Sequence, residues 1–124
     1  MSANSDIKSY RDLSIWQRTK SFAVLMYKIT EKFPAHELYG LTSQIRRSAV
    51  SMPSNIAEGF RRKSSKEKLQ FLRVAYGSGA ELETQLEIAH DLGYINDSIY
   101  EGVTKEFGGI MKMINRTIAV LENF

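Results

Sequence analysis

The 124-residue chain contains no cysteine. That excludes a disulfide framework, thiolate zinc sites and a thiol nucleophile together, and it fits a reducing cytosol. Histidine is almost as scarce: only His36 and His90 occur, and neither is placed in sequence to activate a serine. Long apolar runs are missing too. The longest, FAVLMY at 22–27, falls far short of the roughly 20 residues of a membrane span, and the opening MSANSDIKSY has no apolar core of a secretory signal. A cytoplasmic protein with no membrane partner is expected. The length suits one domain, 1–124, with a core that needs no staples.

What is present is helical periodicity. Four segments repeat apolar residues every three to four positions, and none alternates with the period of two that marks a half-buried strand. The predicted class is all-α, an up-down-up-down four-helix bundle with helices at about 12–33, 37–61, 65–92 and 98–122. Asp12 is the expected cap of the first helix and Pro34 its stop. This helix carries two apolar stripes: Leu13, Trp16, Ala23, Val24 and Tyr27 on one face, and Ile15, Phe22, Met26, Ile29 and Phe33 on the adjacent one. One stripe is enough for a bundle core. The second, through Ile15, Phe22, Met26 and Ile29, is therefore assigned to an interface with another copy of the chain.

The second helix keeps one apolar register, Leu41, Ile45, Ala49, Met52, Ile56 and Phe60, straight through Pro53. An interior proline costs about 3 kcal/mol, so a kink that leaves both halves on one core is expected. Capping boxes are read at Ser64 to Glu67 and at Ser98 to Glu101, and Gly93 is the expected stop of the third helix. Glycines inside helices, at 77 and 79 in AYGSGA and at 108 and 109, suggest close approach of a neighbouring helix or a second subunit.

The net charge of +3 is unevenly spread. Alternating helices would gather Lys8, Arg11, Arg18, Lys20, Arg61, Arg62, Lys63, Lys66, Lys68, Arg73, Lys112 and Arg116 at one end with Asp6, Asp12, Glu58, Glu67 and Glu122, about +7 net. The other end would be about −4, even though it holds Arg46 and Arg47. Arg61 to Lys63 at a helix C-terminus are explained equally well by complementing the helix dipole. Lys66 and Lys68 are not, because they sit in a first turn where the dipole opposes them, as do Arg46 and Arg47. A solvated basic face is the plain alternative to a site.

Over QIRRSAVSMPSNIAEG at 44–59 and GSGAELETQL at 77–86, the chain strongly resembles the four-helix bundle proteins encoded within intervening sequences of bacterial large-subunit ribosomal RNA genes. The likeness runs from LSIWQ at 13–17 through the fourth helix. It implies a bundle that assembles as a ring-like homopentamer, in a family that offers no catalytic residue to transfer. More distantly the chain is similar to the accessory variability determinants of diversity-generating retroelements, basic pentameric bundles that bind nucleic acid and their reverse transcriptase.

Glu87 and His90, with Glu83 a turn before, have the Glu-x-x-His spacing of di-iron bundles. A second such motif is missing from the sequence, so no metal and no cofactor are expected, and Glu83 and His90 are read as extending the Leu69 and Tyr76 heptad toward polar neighbours. Asn55, Glu58 and Glu81 are either ligands or hydrogen-bond partners near the proline; Ser48 and Ser51 are expected to bond carbonyls there. The function expected is non-enzymatic: Arg61, Arg62, Lys63, Lys66, Lys68 and Arg73 would hold an RNA or DNA backbone by its phosphates. With only Phe60 and Phe71 beside them, stacking on bases is not expected. The alternative is a scaffold that docks an acidic protein partner, such as a polymerase-type enzyme.

Overall fold

The computed structural model describes residues 7–124; Asp6, assigned above to the basic end, lies outside them. Among the described residues there are four α-helices and no strand: α1 Ser14–Thr30, α2 Leu41–Phe60, α3 Ser65–Asp91 and α4 Asp97–Glu122. Among these residues, too, no helix is long and apolar enough to cross a membrane.

Helix ends differ from the sequence reading where local hydrogen bonds intervene. Asp12 does not cap α1. Its carboxylate accepts from the backbone N–H groups of Lys8 and Ser9, at 2.9 and 3.1 Å, and so closes a 3-10 turn at Tyr10–Asp12. Extended backbone at Leu13 then separates that turn from α1. The other end of α1 stops at Thr30, before Phe33, because the chain tightens into turn bonds from Lys32 and Phe33 to Ile29 and Thr30. A separate 3-10 turn occupies Ala35–Glu37, which delays α2 to Leu41. The α4 cap is Asn96, whose side chain accepts from the Ile99 N–H at 2.8 Å, so the helix begins before Ser98. Ser64 does cap α3 through the Glu67 N–H, at 3.1 Å. Gly93, at φ +80°, takes the left-handed conformation that ends this helix, with Tyr94 N–H bonded back to the Ala89 carbonyl.

The two stripes of α1 do not divide as expected. Ile15, Phe22 and Met26 are buried in the chain's own core, Met26 with no exposed surface, and Ile29 packs half-buried against it. Phe22 stacks on Phe107 of α4 with centroids 4.7 Å apart. Of the other stripe, Leu13 and Ala23 are buried, whereas Val24 and Tyr27 face outward. The reason lies with two residues counted as polar. Thr19 and Thr30 sit on the core face because their hydroxyls donate to the Ile15 and Met26 carbonyls, each at 2.7 Å. A threonine satisfied in this way can be buried, and it joins Ile15, Phe22 and Met26 into one continuous core face.

In α2 the register holds: Ile45, Ala49, Met52 and Ile56 are buried, and so is Pro53, within one uninterrupted helix. The core face of α3 is Leu72, Ala75, Gly79, Leu82, Leu86 and Ala89, while Tyr76 and Glu83 of the expected heptad are exposed. Gly79 allows the closest approach. A Cβ there would overlap the Met111 thioether and stand 3.2 Å from Met52 Cε, whereas one at Gly77 would meet nothing within 4 Å.

Candidate nucleic-acid interface

One end of the molecule brings together the start of α1, the end of α2, the start of α3 and the end of α4. Leu13, Phe60, Lys68 and Leu121 line a single cavity there. The turn between α2 and α3 is only a few residues long, so Arg61, Arg62, Lys63, Lys66 and Lys68 are held around that end, with Arg73 one to two turns further along α3.

The six cations are not equivalent. Lys68 donates to the Phe60 carbonyl at 3.4 Å and lies 5.4 Å from the Phe60 ring centroid. It therefore serves the carbonyl end of α2, whose partial negative charge it complements. Contrary to the expectation from sequence, helix capping does account for Lys68: its charge opposes its own helix but suits the preceding one. Arg46 repeats the pattern at the opposite end of α2. Its Nε donates to Thr30 Oγ1 at 2.9 Å, and its guanidinium lies over the Tyr27 ring beside the last carbonyls of α1. Arg73 pairs with Glu122 of α4 at 2.8 Å. Arg62 reaches Glu58 at 3.5 Å and covers Phe71.

Arg61, Lys63 and Lys66 remain exposed, with no carboxylate within 4.0 Å among the described residues. Arg61 shares the Tyr10 ring with Arg11, at 5.6 and 4.7 Å. Tyr10 meets Trp16 edge-on at 5.1 Å, and Lys20 lies over Trp16. This aromatic strip was missed from sequence, where only Phe60 and Phe71 were counted near the basic cluster. Trp16 and Lys20, four apart on one helix, were the available signal; the contact of Tyr10 with α2 was not visible locally.

Among the remaining candidates, Asn55, Ser51 and His90 have structural occupations. Asn55 Nδ2 donates to the Ser51 carbonyl and hydroxyl, at 2.8 and 3.0 Å, and Ser51 Oγ bonds Ser78 Oγ of α3 at 2.8 Å. Ser48, expected to bond a carbonyl, instead has a buried Oγ with no partner among the described residues. Glu81 is exposed. His90 bonds Asp97 at 2.6 Å and stacks on Tyr100 at 4.1 Å, tying α3 to α4. Among the described residues no three His, Asp or Glu side chains are grouped to hold a metal.

Carboxylates gather at the end opposite the basic cluster. Burial, then the charges of Glu87, Asp91 and Glu83, push the Tyr100 phenol up. Glu37 accepts from the Leu41 N–H at 3.1 Å and from the Tyr94 hydroxyl at 2.9 Å, bonds that hold its carboxyl below the ordinary value.

The sequence model of the 23S rRNA-intervening sequence proteins matches residues 11–116, most of the chain. The chain belongs to this family. Its fold is similar to a crystal structure of a protein with unknown function from the S23 ribosomal protein family of Bacteroides thetaiotaomicron, 25% identical, with a TM-score of 0.75 over 84% of this chain and 97% of that one. No curated protein matches it. For this member of the 23S rRNA-intervening sequence proteins, the aligned region contains the whole of α1 to α3 and every cation of the Arg61 to Arg73 cluster.

Proposed function

We propose that the chain is a non-enzymatic, up-down-up-down bundle that works as a homopentamer and holds RNA or DNA by its phosphates at the basic end. The observation that carries this reading is the exposed trio Arg61, Lys63 and Lys66, which have no carboxylate partner among the described residues. Lys68, Arg62 and Arg73, already engaged within the chain, set the geometry and add field rather than direct contacts. Cyclic repetition would multiply the trio into a ring, whose potential suits a polyanion. The Tyr10 and Trp16 rings are already covered by Arg11, Arg61 and Lys20, so contact runs through cations and needs no base readout.

Support for assembly comes from the outward apolar residues. Val24, Tyr27, Leu38, Tyr39 and Val50 are exposed, Tyr39 at 94%, and Tyr27, Leu38 and Tyr39 border one surface groove. They replace the Ile15, Phe22 and Met26 stripe as the surface offered to another copy.

Anisotropy titrations with generic RNA and DNA across salt test the binding reading. Binding should weaken steeply with salt, and the triple variant Arg61→Gln, Lys63→Gln, Lys66→Gln should flatten the log–log slope by about 2 to 3 for each protomer that contacts the strand. Absence of binding at low salt, or a slope unchanged in the variant, refutes it. Nuclease-resistant co-purification with an acidic protein would transfer the basic end to the scaffold reading.

A further inference from the structure

The basic end is also where the hydrophobic core opens. A cavity of about 340 Å³ lies between the four helices there, at the lower edge of the roughly 300–1,000 Å³ range of small-molecule sites. Leu13, Ile56 and Leu72 form walls that are part of the buried core, and Val120 and Phe124 stand at the exposed side.

Only two polar side chains, Thr117 and Lys68, stand in the lining. The Thr117 hydroxyl spends its proton on the Met113 carbonyl at 3.0 Å. Lys68 lines the cavity, and its ammonium uses one donor on the Phe60 carbonyl, leaving two. None of the lining side chains is acidic, and no carboxylate of the described residues lies within 4.0 Å of Lys68. The site thus combines an apolar chamber with a single partly buried cation. A neutral apolar guest would leave the two donors unused, and a cationic one would be repelled. An anion lacking an apolar tail would have no reason to enter.

We propose that this cavity binds a free single-chain amphiphile with an anionic head, of the medium-chain carboxylate class. The aliphatic tail occupies the space between Leu13, Ile56 and Leu72, and the carboxylate accepts from Lys68 at the mouth. The site does not depend on nucleic-acid binding: the trio Arg61, Lys63 and Lys66 is absent from its lining.

The test is isothermal titration of the full chain with decanoate below its micelle concentration, and with decanol as the uncharged control. Saturable binding of one decanoate per protomer is expected, about tenfold tighter than decanol. Lys68→Gln should erase that preference while decanol still binds. Val120→Trp, placed at the exposed mouth to spare the core, should weaken both ligands. The proposal is overturned if decanoate does not saturate, if Val120→Trp leaves its affinity unchanged, or if Lys68→Gln keeps the preference. Binding to anionic phospholipid vesicles without binding to monomeric decanoate would assign the cavity to a lipid surface and equally overturn it, as would occlusion of the cavity by a second copy. Arg61→Gln, Lys63→Gln, Lys66→Gln should leave decanoate binding intact, which separates this site from the nucleic-acid reading.

Discussion

Gly77 and Gly79 sit two residues apart in the same helix, yet alanine should stabilise the chain at the first and not at the second. Both substitutions remove the helix-interior penalty of glycine, a gain of about 1 kcal/mol. At Gly77 nothing lies within 4 Å of the added methyl, so the gain is realised. At Gly79 the methyl would collide with the Met111 thioether and press on Met52 Cε, 3.2 Å away, and both methionines are buried. Their thioethers are flexible, but the space they would move into is core, and overpacking costs typically about 1–3 kcal/mol. Gly79→Ala should therefore range from neutral to about 2 kcal/mol less stable than the parent. Gly77→Ala should exceed it by about 1–3 kcal/mol, or several degrees in Tm for a chain this size. Urea unfolding of the two variants measures the gap directly, with slopes compared to confirm that the unfolded states match. Equal stabilities, or a more stable Gly79→Ala, would refute the close approach of α3 to α4.

Arg46→Ala should cost about 1–2 kcal/mol, through loss of its bonds to Thr30 and Tyr27 and of the ring contact, while Arg47→Ala, exposed and without a bond among the described residues, should stay within about 0.5 kcal/mol; chemical denaturation separates them. Ser48→Ala should be neutral or stabilising by about 1 kcal/mol, because it removes a buried hydroxyl with no partner among the described residues; a clear loss in thermal unfolding would mean the hydroxyl is bonded. Glu37 has its folded pKa depressed below the ordinary 4.5, so its contribution is full above that pH and fades as pH falls through the lowered value. Tyr94→Phe should lower Tm at neutral pH and soften the acid-side decline, read from Tm against pH.

The four helices, the unbroken register across Pro53 and the stop at Gly93 were legible because each depends on local spacing or a local backbone requirement. The core face of α1 was not. Thr19 and Thr30 count as polar in any periodicity argument, and only their bonds to Ile15 and Met26 show why they can be buried. The starts of α1 and α4 were misread for different local reasons: Asp12 is spent on the N–H groups of Lys8 and Ser9, which leaves Leu13 without a side chain to cap α1, and at α4 Asn96 takes the role assigned to Ser98. The charge argument failed more instructively. Helix-dipole reasoning compared Lys68 and Arg46 only with their own helices, whereas both answer the helix before them. Tyr10, and Trp16 packed against it, were overlooked because the place of Tyr10 beside Arg61 is a tertiary contact across about 50 positions of sequence.

The reach of Arg46 back to α1 and of Lys68 back to α2 bears on how the chain acquires its shape. Each contact closes a helical hairpin with a partner fewer than twenty residues upstream, so the loop-closure entropy is small. A chain whose successive hairpins are fastened this way has low contact order, and such topologies fold in microseconds to milliseconds. During synthesis each of the first two helices is pinned soon after the next one emerges, and the docking of α4 follows once that helix has been made.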